Sequence, residues 1–353
     1  MITKQEFVKK EKYLKLNDNG DFIIDYNDKL QIIDYNDKLQ IIDFHTHMCN
    51  LLPLKATDPK TKGKILKYKT LPNIENMDLS VPYWCKINPN EKKKGLISIL
   101  KFSIDGYKIL KDMGNGGTYE NCFKSQRENM VKKNVLLPLS TKKHDLSMEA
   151  LRVAKEYPDK FIPFCSVHPS DPKMKKKILR YKNIGAKGLK LKVTDMEFKN
   201  DFKPLIEIFK VCHELGLPVI LHTGSLTHIK RENTSNLMWK LLKSTRVEFF
   251  GGLLNRLPSN FKFVFGHSGI EEYKLVAKYL KKFPSSYAEL SSQSTESIKS
   301  LIDEVGYERL LYGSDWPALP QAITLSRVLQ ATEKNEDARD SILFKNAEKL
   351  LDI

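Results

Sequence analysis

The sequence predicts an α/β fold, a (β/α)₈ TIM barrel with a short N-terminal β-meander and a long insertion after the first barrel strand. Apolar runs bounded by turn residues alternate with amphipathic stretches, which favours parallel strands connected by helices. Eight such runs are present, and eight βα units close a barrel. A barrel typically takes roughly 250 residues, so the 353 residues accommodate one barrel with additions.

The first forty residues contain an internal duplication. The unit IIDYNDKLQ runs from Ile23 to Gln31, repeats from Ile32 to Gln40 and begins again at Ile41. Each copy has a β-rich part followed by Asn-Asp-Lys, which favours a turn. We therefore expect residues 1–40 to form a β-rich extension without chemistry, leading into a barrel that spans residues 41–353.

The alternation of strands and helices is regular from the first barrel strand onward. The predicted strands are Ile41–Phe44, Val135–Leu139, Phe161–Val167, Gly188–Val193, Pro218–Leu221, Phe261–Phe265, Tyr287–Leu290 and Leu310–Tyr312. The predicted helices between and after them are Ser147–Glu156, Pro172–Asn183, Phe202–Leu215, Glu271–Lys281, Thr295–Val305 and one or two helices within Asp337–Leu351.

One interval breaks this rhythm. Residues from about 50 to 117 separate the first two strands, whereas a βα loop usually has roughly 2–6 residues. The interval contains a predicted helix at Lys94–Met113 and several prolines. Because βα loops lie at the C-terminal face of a barrel, we expect this insertion to overhang the active site and to influence specificity. It is also large enough to mediate contacts in a homo-oligomer.

The formal net charge of +16 raises the question of a nucleic-acid partner. The lysines are scattered along the whole chain beside predicted helices, as in Lys92–Lys94 and Lys175–Lys177, and this is typical of solvated faces. The distribution argues against a nucleic-acid surface. A basic surface does raise the local concentration of an anionic small-molecule substrate.

Several features favour a cytoplasmic location. No run approaches the roughly 20 apolar residues that span a bilayer, and the lysine-rich N-terminus lacks the apolar core of a secretory signal. The cysteines are odd in number, five, and form no CxxC pair, which suits free thiols in a reducing compartment. They are Cys49, Cys85, Cys122, Cys165 and Cys212.

The first barrel strand ends in the motif IIDFHTH. Strand alternation points His45 and His47 in the same direction and Thr46 away from them. Two imidazoles on one side of a strand can chelate a single zinc, manganese or iron ion. The pattern therefore predicts a metal site at the end of this strand.

Three further polar residues follow apolar strands. His222 ends the fifth strand in PVILHTG, His267 follows the sixth in FVFGHSG, and Asp315 follows the eighth in LLYGSDWP. A single histidine in such a place is usually structural. The ends of parallel barrel strands converge on one rim, however, so residues distant in sequence become neighbours there. Taken together, these residues predict one metal-dependent site.

These motifs resemble those of the amidohydrolase superfamily, and within it the amidohydrolase-related branch of TIM-barrel metal-dependent hydrolases. The similarity lies in HTH at the first strand, HTG at the fifth, GHSG at the sixth and GSDWP at the eighth. It runs from about Ile41 to the C-terminus, where ILFKNAEKLL is similar to the closing helix of the branch. Residues 1–40 and the long insertion lie outside it.

The resemblance implies that His45, His47, His222 and Asp315 bind a divalent metal, Zn first, with Mn or Fe as alternatives and one or two ions. It implies that Asp315 also takes a proton from the metal-bound water. His267 is implied to be either a ligand of a second metal or, with one metal, an acid/base that polarises the substrate. These roles agree with the general chemistry of metal-activated water.

The fourth strand, AKGLKLKV, leaves alternatives open. Lys190 and Lys192 face the same side of the strand. Lys190 matches the lysine of a KGIKLHP-like segment of the branch, whereas Lys192 stands where a histidine is common. Lys190 is therefore either a carboxylated bridge between two metals or an unmodified lysine that binds an anionic substrate or pairs with an acid, and we favour the unmodified form.

Two more histidines are candidates for substrate binding. His168 follows the third strand in FCSVHPSDP and either contacts substrate at the rim or stabilises a turn. His228 lies on the loop after His222. His213 lies inside an amphipathic helix, in VCHELG, and is expected to be structural.

The leading functional hypothesis is hydrolysis of an amide, ester or lactone bond of a small, anionic substrate. The alternative is non-oxidative decarboxylation of an aromatic or unsaturated carboxylic acid, which the same branch performs with the same residues. A non-catalytic binding protein on the same barrel is the third hypothesis, and it is disfavoured because every position of the metal set holds a competent ligand.

Overall fold

A computed structural model of the chain describes residues 4–26, 40–48, 116–141, 143–193, 202–224 and 245–353. Its strands are β1 Leu14–Leu16, β2 Phe22–Ile24, β3 Ile42–Thr46, β4 Lys133–Leu136, β5 Phe161–Pro163, β6 Cys165–Ser166, β7 Leu189–Leu191, β8 Val219–His222, β9 Phe263–Gly266, β10 Tyr287–Glu289 and β11 Leu310–Leu311. Its α-helices are α1 Lys4–Lys10, α2 Tyr119–Glu128, α3 Ser147–Glu156, α4 Met174–Ile184, α5 Lys203–Glu214, α6 Val247–Leu254, α7 Tyr273–Lys282, α8 Thr295–Val305, α9 Gln321–Ala331, α10 Glu336–Asp340 and α11 Asn346–Leu351. Residues His267–Glu272 form a series of tight turns with non-helical backbone at Ser268, Gly269 and Ile270, and a π-helical turn joins α10 to α11 at Ser341–Lys345.

The barrel wall consists of parallel strands in chain order from β3 to β11. All eight strands predicted from the apolar runs are confirmed, with the third divided into β5 and β6. Phe164 lies between these two pieces; its N–H donates to Leu136 on one side, while the next N–H, of Cys165, donates to Gly188 on the other. The third strand therefore connects the pairs β4–β5 and β6–β7.

The first and last barrel strands are joined by backbone hydrogen bonds. The N–H of Phe44 donates to Tyr312 O (2.9 Å), and the N–H of Asp315 donates to His45 O (2.8 Å). Thr46 also forms a parallel bridge with Trp316. These contacts bring the motifs of the first and eighth strands side by side.

The helices form where the sequence provides an apolar face and a cap. In α5, the buried residues Leu205, Ile208, Phe209 and Cys212 follow the spacing of one helical face. Helix α8 begins after Ser294, whose side chain accepts from the backbone N–H of Ser297 in a capping box. The predicted bounds of α3 and α8 are confirmed at both ends.

None of the helices in the described part of the chain has the length and apolar character needed to cross a membrane.

Apolar side chains from all around the wall fill the amino end of the barrel. The cluster contains Ile42, Phe44, Val135, Leu137, Ile162, Phe164, Ile220, Val264, Tyr287 and Leu311. Residues of α11 belong to the same cluster, and the Asn346 side chain donates to Leu310 O, at the start of β11. The C-terminal helix therefore covers this end of the barrel.

The N-terminal segment packs against the outside of the barrel. It consists of α1 and an antiparallel pair, β1–β2, whose side chains Phe7 and Phe22 join the main apolar core. Most of the duplicated unit lies outside the described residues, as do the long insertion up to residue 115 and its predicted helix. The helix α1 was not predicted from the sequence.

Candidate metal centre

Buried polar side chains from six strands converge inside the barrel. They lie at or just past the carboxyl ends of β3, β7, β8, β9, β10 and β11, where the sequence analysis placed a site. All are at most 7% exposed. These residues are His45, His47, Lys190, His222, His267, Glu289 and Asp315.

A β-bulge in β3 directs the two histidines of the HTH motif. The pairing with β4 changes register between Asp43 and Thr46, so that β3 holds one more residue than its partner over this stretch. Phe44 therefore packs in the apolar cluster, against Phe164, while the next residue, His45, enters the polar site. Bulges commonly re-aim side chains in this way next to active sites.

Asp43 anchors the bulge from the side facing α9. Its buried carboxylate accepts from the backbone N–H groups of His45 and Ser314, from the Ser314 hydroxyl and from the Gln321 side chain. Burial raises the pKa of Asp43 to about 7, although each of these hydrogen bonds acts to lower it. One carboxylate thus ties the strand that carries His45 to the loop that carries Asp315.

His45, His47 and Asp315 form a group that could hold one metal ion. The Asp315 Oδ1 atom lies 3.2 Å from His47 Nε2 and 3.5 Å from His45 Nε2. One candidate ligand atom from each residue lies within 4.8 Å of the other two. The group is buried, which restricts the approach of competing water.

Hydrogen bonds fix the tautomers of the two histidines. The Nδ1 atom of His45 lies 2.6 Å from the Glu289 carboxylate, and that of His47 lies 2.6 Å from Leu137 O. Both partners are acceptors, so each Nδ1 carries the proton and each Nε2 offers a lone pair. A carboxylate or carbonyl behind the ring is the usual support of a metal-binding imidazole.

The protonation states also suit metal binding. Burial, together with the nearby Lys190, holds the pKa of His45 well below its usual range. Burial alone would raise the pKa of Asp315, but contact with His45 and His47 outweighs it and keeps that pKa low. His45 is therefore a neutral imidazole and Asp315 an ionised carboxylate, which are the forms of these groups that bind divalent cations.

Glu289 was missed by the sequence analysis. Besides orienting His45, its carboxylate accepts from the backbone N–H groups of His267 and Ser291 and from the Ser291 hydroxyl. A second group of ligand atoms within 4.8 Å comprises His45, His267 and Glu289, but the donors around Glu289 already occupy its oxygens. The sequence feature that could have identified Glu289 is its place as a charged residue at the end of the apolar seventh strand, in YAEL.

His222 and His267 form a pair beside the metal-binding group. The Nε2 atom of His267 lies 3.0 Å from the Nδ1 atom of His222, and the rings are 4.7 Å apart. His267 also faces the Ser291 hydroxyl through Nδ1 (2.7 Å) and lies against the His45 ring at 4.6 Å. Burial lowers the pKa of His267 to about 3, so its imidazole is neutral.

The four predicted metal ligands thus lie at one site, but they do not all lie within contact distance of one another. Three of them share a compact arrangement, while His222 reaches the group through His267. The pKa of His222 is well below its usual value because the ring is buried.

The two lysines of the fourth strand occupy different depths of the site. Lys190 is fully buried with its Nζ atom 3.0 Å from His45 Nε2, and burial lowers its pKa to about 8. Lys192 reaches solvent at the barrel mouth, and partial loss of its solvent shell lowers its pKa as well. Both lysines lie close enough to Asp315 to interact with its charge.

The remaining candidate histidines have separate surroundings. The Nδ1 atom of His168 accepts from the backbone N–H of Ser170 at 3.2 Å, a local turn contact. His213 stacks on Phe261 with the rings 4.4 Å apart, in agreement with its expected structural role. His228 lies outside the described residues.

Comparison with known proteins identifies the family and the fold. A family model described as "Amidohydrolase" matches residues 129–353. No curated protein matches the sequence. Solved structures with the same fold are similar over most of their length, at identities so low that only the fold follows from them.

Three of these structures illustrate the range. A 5-carboxyvanillate decarboxylase from Sphingomonas paucimobilis is 16% identical, with a TM-score of 0.57 and coverage of 89% of this chain and 99% of that one. The corresponding decarboxylase from Novosphingobium aromaticivorans, solved with manganese and 3-methoxy-4-hydroxy-5-nitrobenzoic acid, is 17% identical, with a TM-score of 0.56 and coverage of 90% and 98%. A probable 2-pyrone-4,6-dicarboxylic acid hydrolase from Acinetobacter baumannii, with citric acid bound, is 14% identical, with a TM-score of 0.54 and coverage of 89% and 100%.

Proposed function

Because the chain belongs to the amidohydrolase family, as the match over residues 129–353 shows, we propose that it is a metal-dependent hydrolase. It cleaves an amide, ester or lactone bond of a small anionic substrate with water activated beside His45, His47 and Asp315. The observation that carries this proposal is the proximity of the three ligand atoms, within 4.8 Å of one another, with a hydrogen-bond acceptor at Nδ1 of both imidazoles.

The donor set fits a divalent cation. Neutral imidazole nitrogens and one carboxylate oxygen suit Zn²⁺, which we propose as the native ion, and Mn²⁺ or Fe²⁺ are alternatives of similar ligand preference. His222 is the proposed fourth ligand because it lies within the same buried cluster. When bound, such an ion acidifies water towards a pKa of ~7 and polarises a carbonyl group.

Asp315 is the proposed general base. Its low pKa keeps it ionised at neutral pH, and it sits against both imidazoles, so it can accept a proton from the attacking water. It can then deliver this proton to the leaving group.

His267 faces the same space as a neutral imidazole. With one metal ion in the site, it orients the scissile carbonyl and exchanges a proton with the substrate; with two ions, it is a ligand of the second. The Ser291 hydroxyl holds its ring through Nδ1 in either case. Counting the ions separates these roles.

Lys192 is the proposed contact for the anionic group of the substrate. Its side chain reaches solvent, whereas Lys190 is buried against His45. His168 and His228 remain proposed substrate contacts at the rim. We also propose that the protein acts in the cytoplasm, where free thiols persist.

The test is metal analysis combined with a substrate screen. The purified protein is stripped with a chelator, reloaded with Zn²⁺, Mn²⁺ or Fe²⁺, and assayed with esters, lactones, amides and carboxylic acids. The proposal expects bound metal in the protein as isolated and hydrolysis that disappears on stripping and returns on reloading. Hydrolysis that is unchanged after complete metal removal would contradict it.

Non-oxidative decarboxylation is the second candidate. The observation that favours it is the pair of cations, Lys190 and Lys192, on the same face of the fourth strand, which suits a substrate carboxylate close to the metal group. Product analysis separates the two reactions, because decarboxylation releases CO₂ whereas hydrolysis of an ester or lactone releases a carboxylic acid and consumes base.

A further inference from the structure

A buried glutamine supports the loop that carries His267. The Nε2 group of Gln293 donates to His267 O at 2.7 Å and to Ile270 O at 3.2 Å. Gln293 is fully buried at the end of the turn before α8. The Gln293 side chain therefore forms hydrogen bonds to both ends of the segment from His267 to Ile270.

This segment has a backbone that needs external support. His267, Ser268 and Ile270 have φ angles of 58°, 46° and 55°, in the left-handed region that residues other than glycine rarely adopt. Such conformations persist only when the surrounding structure determines them. Here the determining contacts are the two bonds from Gln293 and the bonds that His267 N and Ser268 Oγ donate to Glu289.

The support continues to the N-terminal segment, residues 4–26. The Arg327 Nη1 group on α9 donates to Gln293 O at 2.8 Å, and its Nε group donates to Glu11 Oε1 at 3.1 Å. Arg327 and Glu11 are both buried, so the charge of each stabilises the opposite charge of the other. A continuous series of hydrogen bonds thus connects Glu11, Arg327, Gln293 and His267.

We propose that Gln293 is a positioning residue for His267, and that the N-terminal segment sets this position through Glu11 and Arg327. The role of His267 in turnover rests on the proposed function; the structural connection does not. The N-terminal segment then influences the geometry of the active site, although it lies outside the barrel and residues 4–26 contribute no group to the metal centre.

The test uses Gln293→Met in the full-length protein, since methionine has similar length but no donor. Gln330→Met is the matched control, because Gln330 lies on α9 and accepts a hydrogen bond from Thr295, away from the series. Histidine side-chain ¹H–¹⁵N spectra of both variants are compared with wild type. We expect displaced His267 and His222 resonances only in Gln293→Met, with a kcat about 10–100-fold lower and an unchanged KM.

A second variant keeps the test decisive if Gln293→Met does not fold. Glu11→Leu combined with Arg327→Met removes both buried charges together, a replacement that proteins often tolerate. Its control is Tyr13→Phe, which removes a bond from the same N-terminal segment to Glu333. The double variant should displace the His267 resonances, whereas Tyr13→Phe should leave them in place.

Two results would overturn the proposal: wild-type His267 resonances in a folded Gln293→Met or double variant, or equal displacement in the controls. The spectra need no substrate. If no assay detects turnover, the proposed function fails, while the spectra still decide whether Gln293 positions His267.

Discussion

The two ends of the barrel have opposite contents. The amino end is filled by apolar side chains and covered by α11, and the carboxyl end holds buried histidines, carboxylates and one buried lysine, Lys190. Burial of polar and charged groups is unfavourable unless they are paired. The carboxyl end therefore destabilises the fold, and the apolar packing at the amino end offsets this. At the polar end, hydrogen bonds to Nδ1 fix the orientation of His45 and His47 and leave the Nε2 atom of each ring beside the Asp315 carboxylate.

The largest effect is expected from removing a metal ligand at the polar end. His47→Ala removes one of three ligand atoms and should abolish both metal binding and activity. Elemental analysis and the substrate assay measure the two losses. His144→Ala, an exposed loop histidine, is the control and should keep metal and activity at wild-type levels. A His47→Ala protein with full metal content would show that this residue is not a ligand.

His267→Asn should reduce activity strongly while at least one metal ion remains. The asparagine keeps polar character but lacks an imidazole that can exchange protons. The measurement is metal content per chain beside kcat. Loss of all metal in this variant, equal to that in His47→Ala, would instead favour a two-metal site with His267 as a ligand.

Glu289→Gln should weaken metal binding roughly 10–100-fold, the usual effect of removing the partner behind a metal-bound histidine. The amide of the variant no longer requires the proton to lie on His45 Nδ1. Its NH₂ group is a donor, and it would face the His45 ring or the His267 N–H, which both donate to the carboxylate in the wild type. Competition with a chelator measures the affinity. Glu304→Gln, at a surface ion pair with Lys281, is the control and should match wild type.

At the apolar end, a substitution should cost stability and leave the metal in place. Leu350→Ala on α11 removes a buried side chain, and such truncations lower the free energy of unfolding by about 2–5 kcal/mol. Denaturant unfolding measures the loss, and elemental analysis of the folded fraction should give wild-type metal content. A loss of metal in proportion to stability would mean that the two ends are not independent.

The smallest effect concerns pH in the metal-free protein. Burial lowers the folded-state pKa of His267 from 6.5 to about 3. Below pH 6.5 the unfolded chain therefore binds a proton that the folded protein does not, so the folded state loses stability as the pH is lowered. At pH 5 this amounts to about 2 kcal/mol. His267→Asn should therefore become more stable relative to wild type between pH 7.5 and pH 5, as measured by denaturant unfolding at both values. A constant difference would contradict the neutral, buried imidazole.

Much of this arrangement could be predicted from the sequence, because strand periodicity and strand-end position are local properties. The apolar runs predicted eight strands, and the polar residues after them predicted where His45, His47, His222, His267 and Asp315 meet. Lys190 and Lys192 lie on one face of their strand, as alternation requires. Convergence on a rim follows from barrel geometry without knowledge of side-chain packing.

Other features depend on contacts that a local pattern does not contain. The extra residue in β3 does not disturb the alternation of His45 and His47, so the bulge was invisible. The pairing of His222 with His267 depends on ring orientation. Glu11 and Arg327 are 316 positions apart, and nothing near either residue indicates its partner. Glu289 could have been found by applying to the seventh strand the strand-end criterion that identified Asp315 at the eighth.

The most direct test of the central claim is an anomalous diffraction map from crystals of the protein loaded with Zn²⁺ or Mn²⁺. We expect a strong peak enclosed by His45 Nε2, His47 Nε2 and Asp315 Oδ1, the atoms that already face one another. A fully loaded crystal with its peak elsewhere, and none among these three atoms, would contradict the account.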